Sequence, residues 1–273
     1  MRRARNWQAP SRRFGWLGAG ADLVVGGERR DDDAWRARVR RWRRPVVEVV
    51  LLVVGYAVFF GVHDLVGTDE VQATHNAQRL DSIERAVGLD VELGANRWLA
   101  GQPALIAASV LYYRLYYLPL VAVLLWLILR RADTYRVLRV TLLVVAALAL
   151  VCYWLLPTSP PRFAMPGIVD IIAENDPVAG ESTRDLSTGR NHFSAFPSMH
   201  VGWAALAAYF VWFTLRRERP RVAWLAWLFP AGMVVVVIVT GNHYVLDVVG
   251  SALLLTVALA VTRPWARVRD GGA

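Results

Sequence analysis

The apolar residues of this chain fall into long unbroken runs rather than the short stretches of a soluble domain. The runs lie at about Pro45 to Val62, Pro103 to Leu129, Val137 to Leu156, Phe196 to Leu215, Val222 to Thr240 and His243 to Val261. As helices, each is long enough to cross roughly 30 Å of hydrocarbon. Lipid offers no hydrogen-bond partner to an open sheet edge, so the pattern predicts an all-α membrane protein, a six-transmembrane helix bundle. Between the first two runs, charges alternate with Leu80, Ile83 and Val87 and then with Leu93, Trp98 and Leu99 at helical spacing. That spacing predicts two short extracytoplasmic interfacial helices within Thr68 to Gly101, which either cap the bundle or admit a lipid headgroup.

Composition agrees with the pattern: 56% of the 273 residues are hydrophobic, too apolar for a soluble domain of this length. The basic residues, all arginine, give a net charge of +9. Charge alone would suggest nucleic acid, but its distribution sets that partner aside. Thirteen arginines lie in residues 1 to 45, and three further groups lie around Arg130 to Arg139, Arg216 to Arg221 and Arg263 to Arg269. Placing both termini in the cytoplasm puts all of these on one side, as the positive-inside rule requires. The opposite side receives Arg79, Arg85, Arg97, Arg162, Arg184 and Arg190, together with twelve acids between Asp64 and Asp185.

The expected organisation is an Arg-rich cytoplasmic tail at 1 to 45, a six-span catalytic membrane domain at 46 to 262 and a short cytoplasmic tail at 263 to 273. Within the first tail, Ala34 to Arg44 sets Trp35, Val39 and Trp42 on one helical face, which reads either as an interfacial basic helix or as a tail that only fixes orientation. Cys152 is the only cysteine and falls inside an apolar run, so neither an intrachain disulfide nor a cysteine metal site is expected.

Three segments bring ionisable or hydroxyl groups to the extracytoplasmic boundary: Pro157 to Phe163, Phe196 to His200, and Gly241 to Asp247. They close span three, open span four and open span six, so the topology brings them to one level. His243 and Asp247 are four apart on one helical face. The carboxylate can accept the imidazole N–H and fix its tautomer, leaving the other ring nitrogen free as a nucleophile or a base. A carboxylate inside an apolar span costs roughly 2.5 to 3.5 kcal/mol, which favours a functional residue over helix glue. Pro197 and Ser198 mark a helix start whose free N–H groups suit an anion, with His200 within one turn to donate a proton.

Arg162, in a rigid proline-rich turn, offers a fork for phosphate oxygens. Tyr244 and the loop arginines Arg184 and Arg190 are supporting candidates, although solvated loop charges are the better explanation of the two arginines. His192 reads as a solvent-exposed loop residue, and His63 and His75 have no partner in the sequence. Arg114 lies mid-span and serves either as another phosphate ligand or as an ion-pair partner of Asp247 or Glu48.

In these blocks the chain resembles the type 2 phosphatidic acid phosphatase superfamily, in particular its branch similar to inositol phosphorylceramide synthases, over about residues 68 to 262. The matching blocks are Pro-Pro-Arg-Phe at Arg162, Pro-Ser-x-His at Ser198 to His200, and His-x-x-x-Asp at His243 to Asp247. The resemblance implies that His243 attacks phosphorus to give a phosphohistidine, that His200 protonates the departing alkoxide and later activates the acceptor, and that Asp247 holds His243. It implies no metal and no other cofactor. The phosphatase form carries a lysine where this chain has Leu155, an arginine where it has Val237, and usually a glycine where it has Met199. Loss of two cations shifts the expectation from plain hydrolysis toward transfer of a phosphoryl headgroup, and Arg114 is a candidate to restore one charge.

The expected activity is therefore that of a metal-independent lipid phosphatase or phosphotransferase in the cell membrane. Its substrate would be a lipid phosphate, and its acceptor water or an alcohol such as inositol or a sugar. A non-catalytic lipid-phosphate carrier or flippase is the alternative: it would use Arg162 and the helix ends without breaking a bond.

Overall fold

The computed structural model describes residues 21–176 and 190–267. The chain divides into two compact units, Met1–Leu51 and Leu52–Ala273. No β-strand occurs among the described residues, where Thr158 and Ser194 form an isolated parallel bridge. The elements that matter for the site are α1 (Ala21–His63), α2 (Glu70–Val87), α3 (Glu92–Ala100), α4 (Pro103–Arg114), α5 (Leu118–Arg130), α6 (Ala132–Leu155), α7 (Pro161–Ala164), α8 (Ile171–Asn175), α9 (Met199–Leu215), α10 (Pro220–Leu225), α11 (Leu228–Val239) and α12 (Val245–Arg267).

Among the described residues, five stretches are long and apolar enough to cross a membrane: Trp42–His63, Pro103–Arg130, Ala132–Leu155, Pro220–Val239 and Val245–Thr262. The chain is a multi-pass membrane protein. Helix α9, at 17 residues, is apolar but shorter than these. The Arg-rich segment Ala34 to Arg44 lies within α1, which continues through Pro45.

Two of the expected spans are broken rather than continuous, and proline explains both. Pro119 lacks an N–H, and its ring would strike the carbonyl four residues back, so α4 ends at Arg114 and α5 restarts at Leu118. Pro230 does the same between α10 and α11. Tyr113, Arg114 and Tyr116, at the first break, line a cavity.

Helices α5, α6, α9 and α12 enclose the main core, with Leu127, Leu138, Val145, Leu206 and Ala258 fully buried. A second cluster joins Leu99 of α3, Val110 of α4 and Ile171 and Ile172 of α8. Leu143, Trp154, Leu253 and Val257 remain exposed on the outer faces of α6 and α12. An apolar exterior around an apolar core is what hydrocarbon solvent demands. The segment expected as two short helices forms α2 and α3. Asp69 caps α2 by accepting the Gln72 N–H, and Gly88 ends it at φ +71.

Candidate active site

Backbone hydrogen bonds draw the three sequence blocks together. The Thr158 N–H donates to Phe193 O at 2.7 Å and the Ala195 N–H to Thr158 O at 3.1 Å, tying the proline-rich turn to the segment before α9. The Arg162 N–H donates to Gly241 O at 2.9 Å, and the Ser198 N–H to Asp247 O at 3.2 Å. Gly241 is at φ +70, where a Cβ would also lie 2.5 Å from Ile168, so both conformation and space require glycine. The Ser251 hydroxyl lies 2.6 Å from Ser198 O and 2.9 Å from Asp247 O, fastening the start of α9 to the first turns of α12.

His243 stands in the turn between α11 and α12 with its side chain almost wholly buried. Its Nδ1 lies 2.9 Å from Ala195 O and 3.1 Å from Asp247 Oδ2. Both are acceptors, so Nδ1 carries the hydrogen and donates, and Nε2 keeps its lone pair. Nε2 faces His200 Nδ1 at 3.4 Å. Burial, with the Arg162 cation adding to it, pushes the His243 imidazole down to about 3, while the bond to Ala195 O opposes the shift. His200 is packed against Tyr113, stacked at 4.3 Å between centroids, and Tyr116 at 4.4 Å. Asp247 is fully buried and also accepts the Tyr244 N–H at 2.8 Å.

Arg162 leaves α7 toward the same place. It donates to Asn242 Oδ1, its Nε lies 3.5 Å from Asp170 Oδ2, and its guanidinium rests 4.6 Å over the Phe163 ring. Asn242 is itself held by Thr240, whose hydroxyl oxygen accepts from Nδ2 at 2.8 Å.

Two adjoining cavities receive these groups. The smaller, of about 220 Å³, is lined by His243, His200, Arg162, Asn242, His63 and Ser194, among others. The larger, of about 930 Å³, is bordered by His200, Arg162, Arg114, Arg190, Tyr56 and Phe60, with Asp176 and His192 also on its wall. The larger space suits an amphipathic ligand because its wall passes from aromatic and aliphatic residues to cations.

The structure brings His243, His200, Asp247 and Arg162 together at one centre. Arg190 is exposed and lines only the larger cavity. Arg114 also lines it, paired with Asp176 rather than with Asp247. Ser198 is fully buried and caps α9, accepting the Val201 N–H at 3.5 Å, and it borders neither cavity. Tyr244 is also fully buried away from both cavities. Its hydroxyl is pushed up by burial first and by the negative charge of Asp247 next. Arg184 lies outside the described residues.

Sequence reasoning passed over several residues. His63 lies on the walls of both cavities, with Nδ1 3.1 Å from Asp64 and Nε2 2.9 Å from Ser194 Oγ. His192 is half-buried on the cavity wall rather than solvent-exposed, with its ring 6.1 Å from Phe163. Asn242, Tyr113, Tyr116 and Asp170 complete the surroundings. Proline at position 119 was the one available signal for the two tyrosines; the others have none in linear spacing. Among the described residues, no group of three or more His, Cys, Asp or Glu side chains is arranged to hold a metal ion.

Among known protein families, the model of the PAP2 superfamily matches residues 78–261, well over half of the chain. The chain belongs to the PAP2 superfamily. No curated protein and no solved structure gives a match. Membership in the PAP2 superfamily points to a phosphatase-type enzyme acting on lipid phosphates, and all three blocks fall within the matched residues. Against the PAP2 pattern, Leu155 is 55% exposed at the end of α6, while Val237 is fully buried beside Val201 and Met233. Arg114 brings a cation to the larger cavity from a different helix.

Proposed function

We propose that this protein breaks the phosphate ester of a lipid at the His243 centre and passes the phosphoryl group to water or an alcohol. The observation that carries the proposal is one geometry: His243 Nε2, its lone pair fixed by the Nδ1 hydrogen bonds, faces His200 at 3.4 Å in a cavity that Arg162 also lines.

In the first step the P–O bond to the leaving group breaks as His243 Nε2 bonds to phosphorus, and protonated His200 gives its proton to the departing alkoxide oxygen. In the second, neutral His200 takes a proton from water or an alcohol, whose oxygen displaces His243 from phosphorus. Asp247 stabilises the positive charge that forms on His243, and Arg162 faces the charge on the phosphoryl oxygens. No metal takes part in either step. The cavity's size and its aromatic flank support a lipid-linked substrate. The absence of cations at Leu155 and Val237 supports headgroup transfer, as in the inositol phosphorylceramide synthase branch, over simple hydrolysis.

In this reading α9 is a sixth crossing, since 17 residues still span about 25 Å, and α2 and α3 lie at the interface. The distribution of arginine supports cytoplasmic termini and an extracytoplasmic site.

The test is to incubate the purified protein with a labelled lipid phosphate, a chelator and a panel of alcohols. Label should leave as free phosphate or as a new ester, and His243→Ala and His200→Ala should abolish its release. Activity that survives both substitutions rules the mechanism out, and binding without any release makes the protein a carrier.

A further inference from the structure

The opening turn of α12 leaves backbone N–H groups without helical partners. Three of them are taken by carboxyl groups from three different elements. The Tyr244 N–H donates to Asp247 Oδ2 at 2.8 Å, the Val245 N–H to Glu92 Oε1 at 3.0 Å, and the Leu246 N–H to Glu84 Oε1 at 2.6 Å. All three acids are fully buried. A helix start ordinarily needs one such cap, and its dipole offsets only about half a charge. Three full charges packed here would repel one another and lose their hydration.

The second oxygens of the two glutamates resolve the conflict. Glu84 Oε2 and Glu92 Oε2 are both buried with no donor group in reach. Their Oε1 atoms sit on adjacent backbone amides, so the two carboxyl groups lie side by side, and one proton held between them would give both Oε2 atoms a partner. Burial pushes the Glu84 carboxyl from its usual 4.5 up to about 8; the Leu246 N–H opposes this, while the negative charges of Glu92 and Asp247 reinforce it. Facing it are Glu92 from α3 and Asp247 from α12, with Tyr244 beside them in the preceding turn. Arg162 of α7, which packs on α2, is turned instead to Asn242 and Asp170.

The same two helices brace the rest of the site. Asn76 of α2 donates to Pro157 O at 2.8 Å, and the carbonyl of Ala73 accepts the Ser159 N–H at 3.1 Å, which holds the turn leading to Arg162. Asn96 of α3 donates to Val169 O and Val239 O and accepts the Val169 N–H, joining the Asp170 segment to the end of α11.

We propose that Glu84 and Glu92 share a single proton and act as positioning residues, locking the opening turn of α12 so that His243 presents Nε2 to the cavity. Loss of the proton sets a second charge beside Asp247. Repulsion then draws the glutamates off the Val245 and Leu246 amides and frees the turn that follows His243. The folded protein keeps this proton toward about pH 8, whereas an unfolded glutamate releases it near 4.5. The pair therefore favours the folded state fully at low pH, and the advantage is lost as pH rises through that interval. The catalytic part of the proposal rests on the function proposed above; the shared proton is a property of the resting protein.

The experiment uses the full chain in detergent, as wild type, Glu84→Gln, Glu84→Ala and Glu92→Ala. Glutamine keeps an oxygen for the Leu246 N–H and replaces the shared proton with a permanent donor. Infrared difference spectra should show a carboxylic-acid band in the wild type that disappears around pH 8 and is missing from Glu84→Gln. Turnover of the lipid phosphate should fall over the same interval in the wild type, while Glu84→Gln keeps kcat within about threefold and stays flat across it. The alanine variants should lose roughly 10- to 100-fold in kcat with little change in KM, as removing a group that only orients another does. Their Val245 and Leu246 amides should exchange hydrogen faster. The shared proton is refuted if no such band titrates or if Glu84→Gln leaves it unchanged. Positioning is refuted if amide exchange at Val245 and Leu246 is the same in every variant that folds, glutamine included, across the pH range. Should no variant, wild type included, turn over lipid phosphate, the proposed function fails while spectra and exchange still decide this inference.

Discussion

A single oxygen of Asp247 holds both the His243 ring and the backbone turn that carries it: Oδ2 lies 3.1 Å from Nδ1 and accepts the Tyr244 N–H at 2.8 Å. An amide in its place keeps one oxygen for the two donors but has no charge to balance an imidazolium, and it sets an NH2 where Oδ1 now has no partner. Asp247→Asn should therefore lower kcat by about 10²- to 10⁴-fold while KM changes little. Steady-state turnover of a lipid phosphate checks this, and a variant near wild-type kcat would remove Asp247 from the mechanism.

The depressed His243 imidazole has two consequences of opposite appearance. Activity should not lose its nucleophile between pH 7 and about 5, because His243 stays neutral until about 3. Stability should nevertheless fall over the same range. The unfolded chain takes up a proton near the usual 6.5 and the folded one does not, so acid favours unfolding from about 6.5 downward. Thermal midpoints against pH should slope less steeply in His243→Ala than in the wild type; parallel slopes would contradict the assignment.

Arg162 joins the turn at Asn242 to the Asp170 segment with two faces of one planar group. Lysine keeps the charge but cannot reach both. Arg162→Lys should cost about 10²-fold in kcat/KM and Arg162→Ala more, measured on the same substrate. Equal kinetics for arginine and lysine would show that only the charge matters.

Arg114 lines the larger cavity but not the smaller one that holds His243, and should act on binding. Arg114→Gln should raise KM about five- to tenfold with kcat within about twofold. A fall confined to kcat would place it at the reacting phosphate instead.

Gly250 of α12 sits under the Phe196 ring, where an added Cβ would lie 2.6 and 2.8 Å from two ring carbons. Gly250→Ala should destabilise the protein by about 1 to 3 kcal/mol, because a ring packed ahead of Pro197 and Ser198 has little room to yield. Thermal unfolding in detergent measures it, and an unchanged midpoint would mean the segment before α9 shifts freely.

What could be read from the chain followed the reach of each signal. Apolar runs marked the spans because length against membrane thickness is a one-dimensional property. The pairing of His243 with Asp247 was visible because a spacing of four has one meaning on a helix. The breaks at Pro119 and Pro230 were written in the sequence as well, but hydropathy runs through them without interruption. Tyr244 was misjudged by phase, since the residue next to His243 points well round the helix and lands among acids. Glu84 and Glu92 gave no warning. On an amphipathic helix a carboxylate reads as a solvated face, and only the convergence of α2, α3 and α12 turns it inward. His63 was hidden in the same way, its partner Ser194 being distant in sequence.

Two residues on the wall of the larger cavity, Asp176 and Asn191, are each tied to a distant part of the chain. Asp176 is held by Arg114, and Asn191 Nδ2 donates to His63 O and Val66 O. These anchors separate two kinds of evolutionary freedom. Wall residues of the larger cavity can change in chemistry, and with them the headgroup that the proposed function would receive, while His243, His200 and Asp247 keep their places.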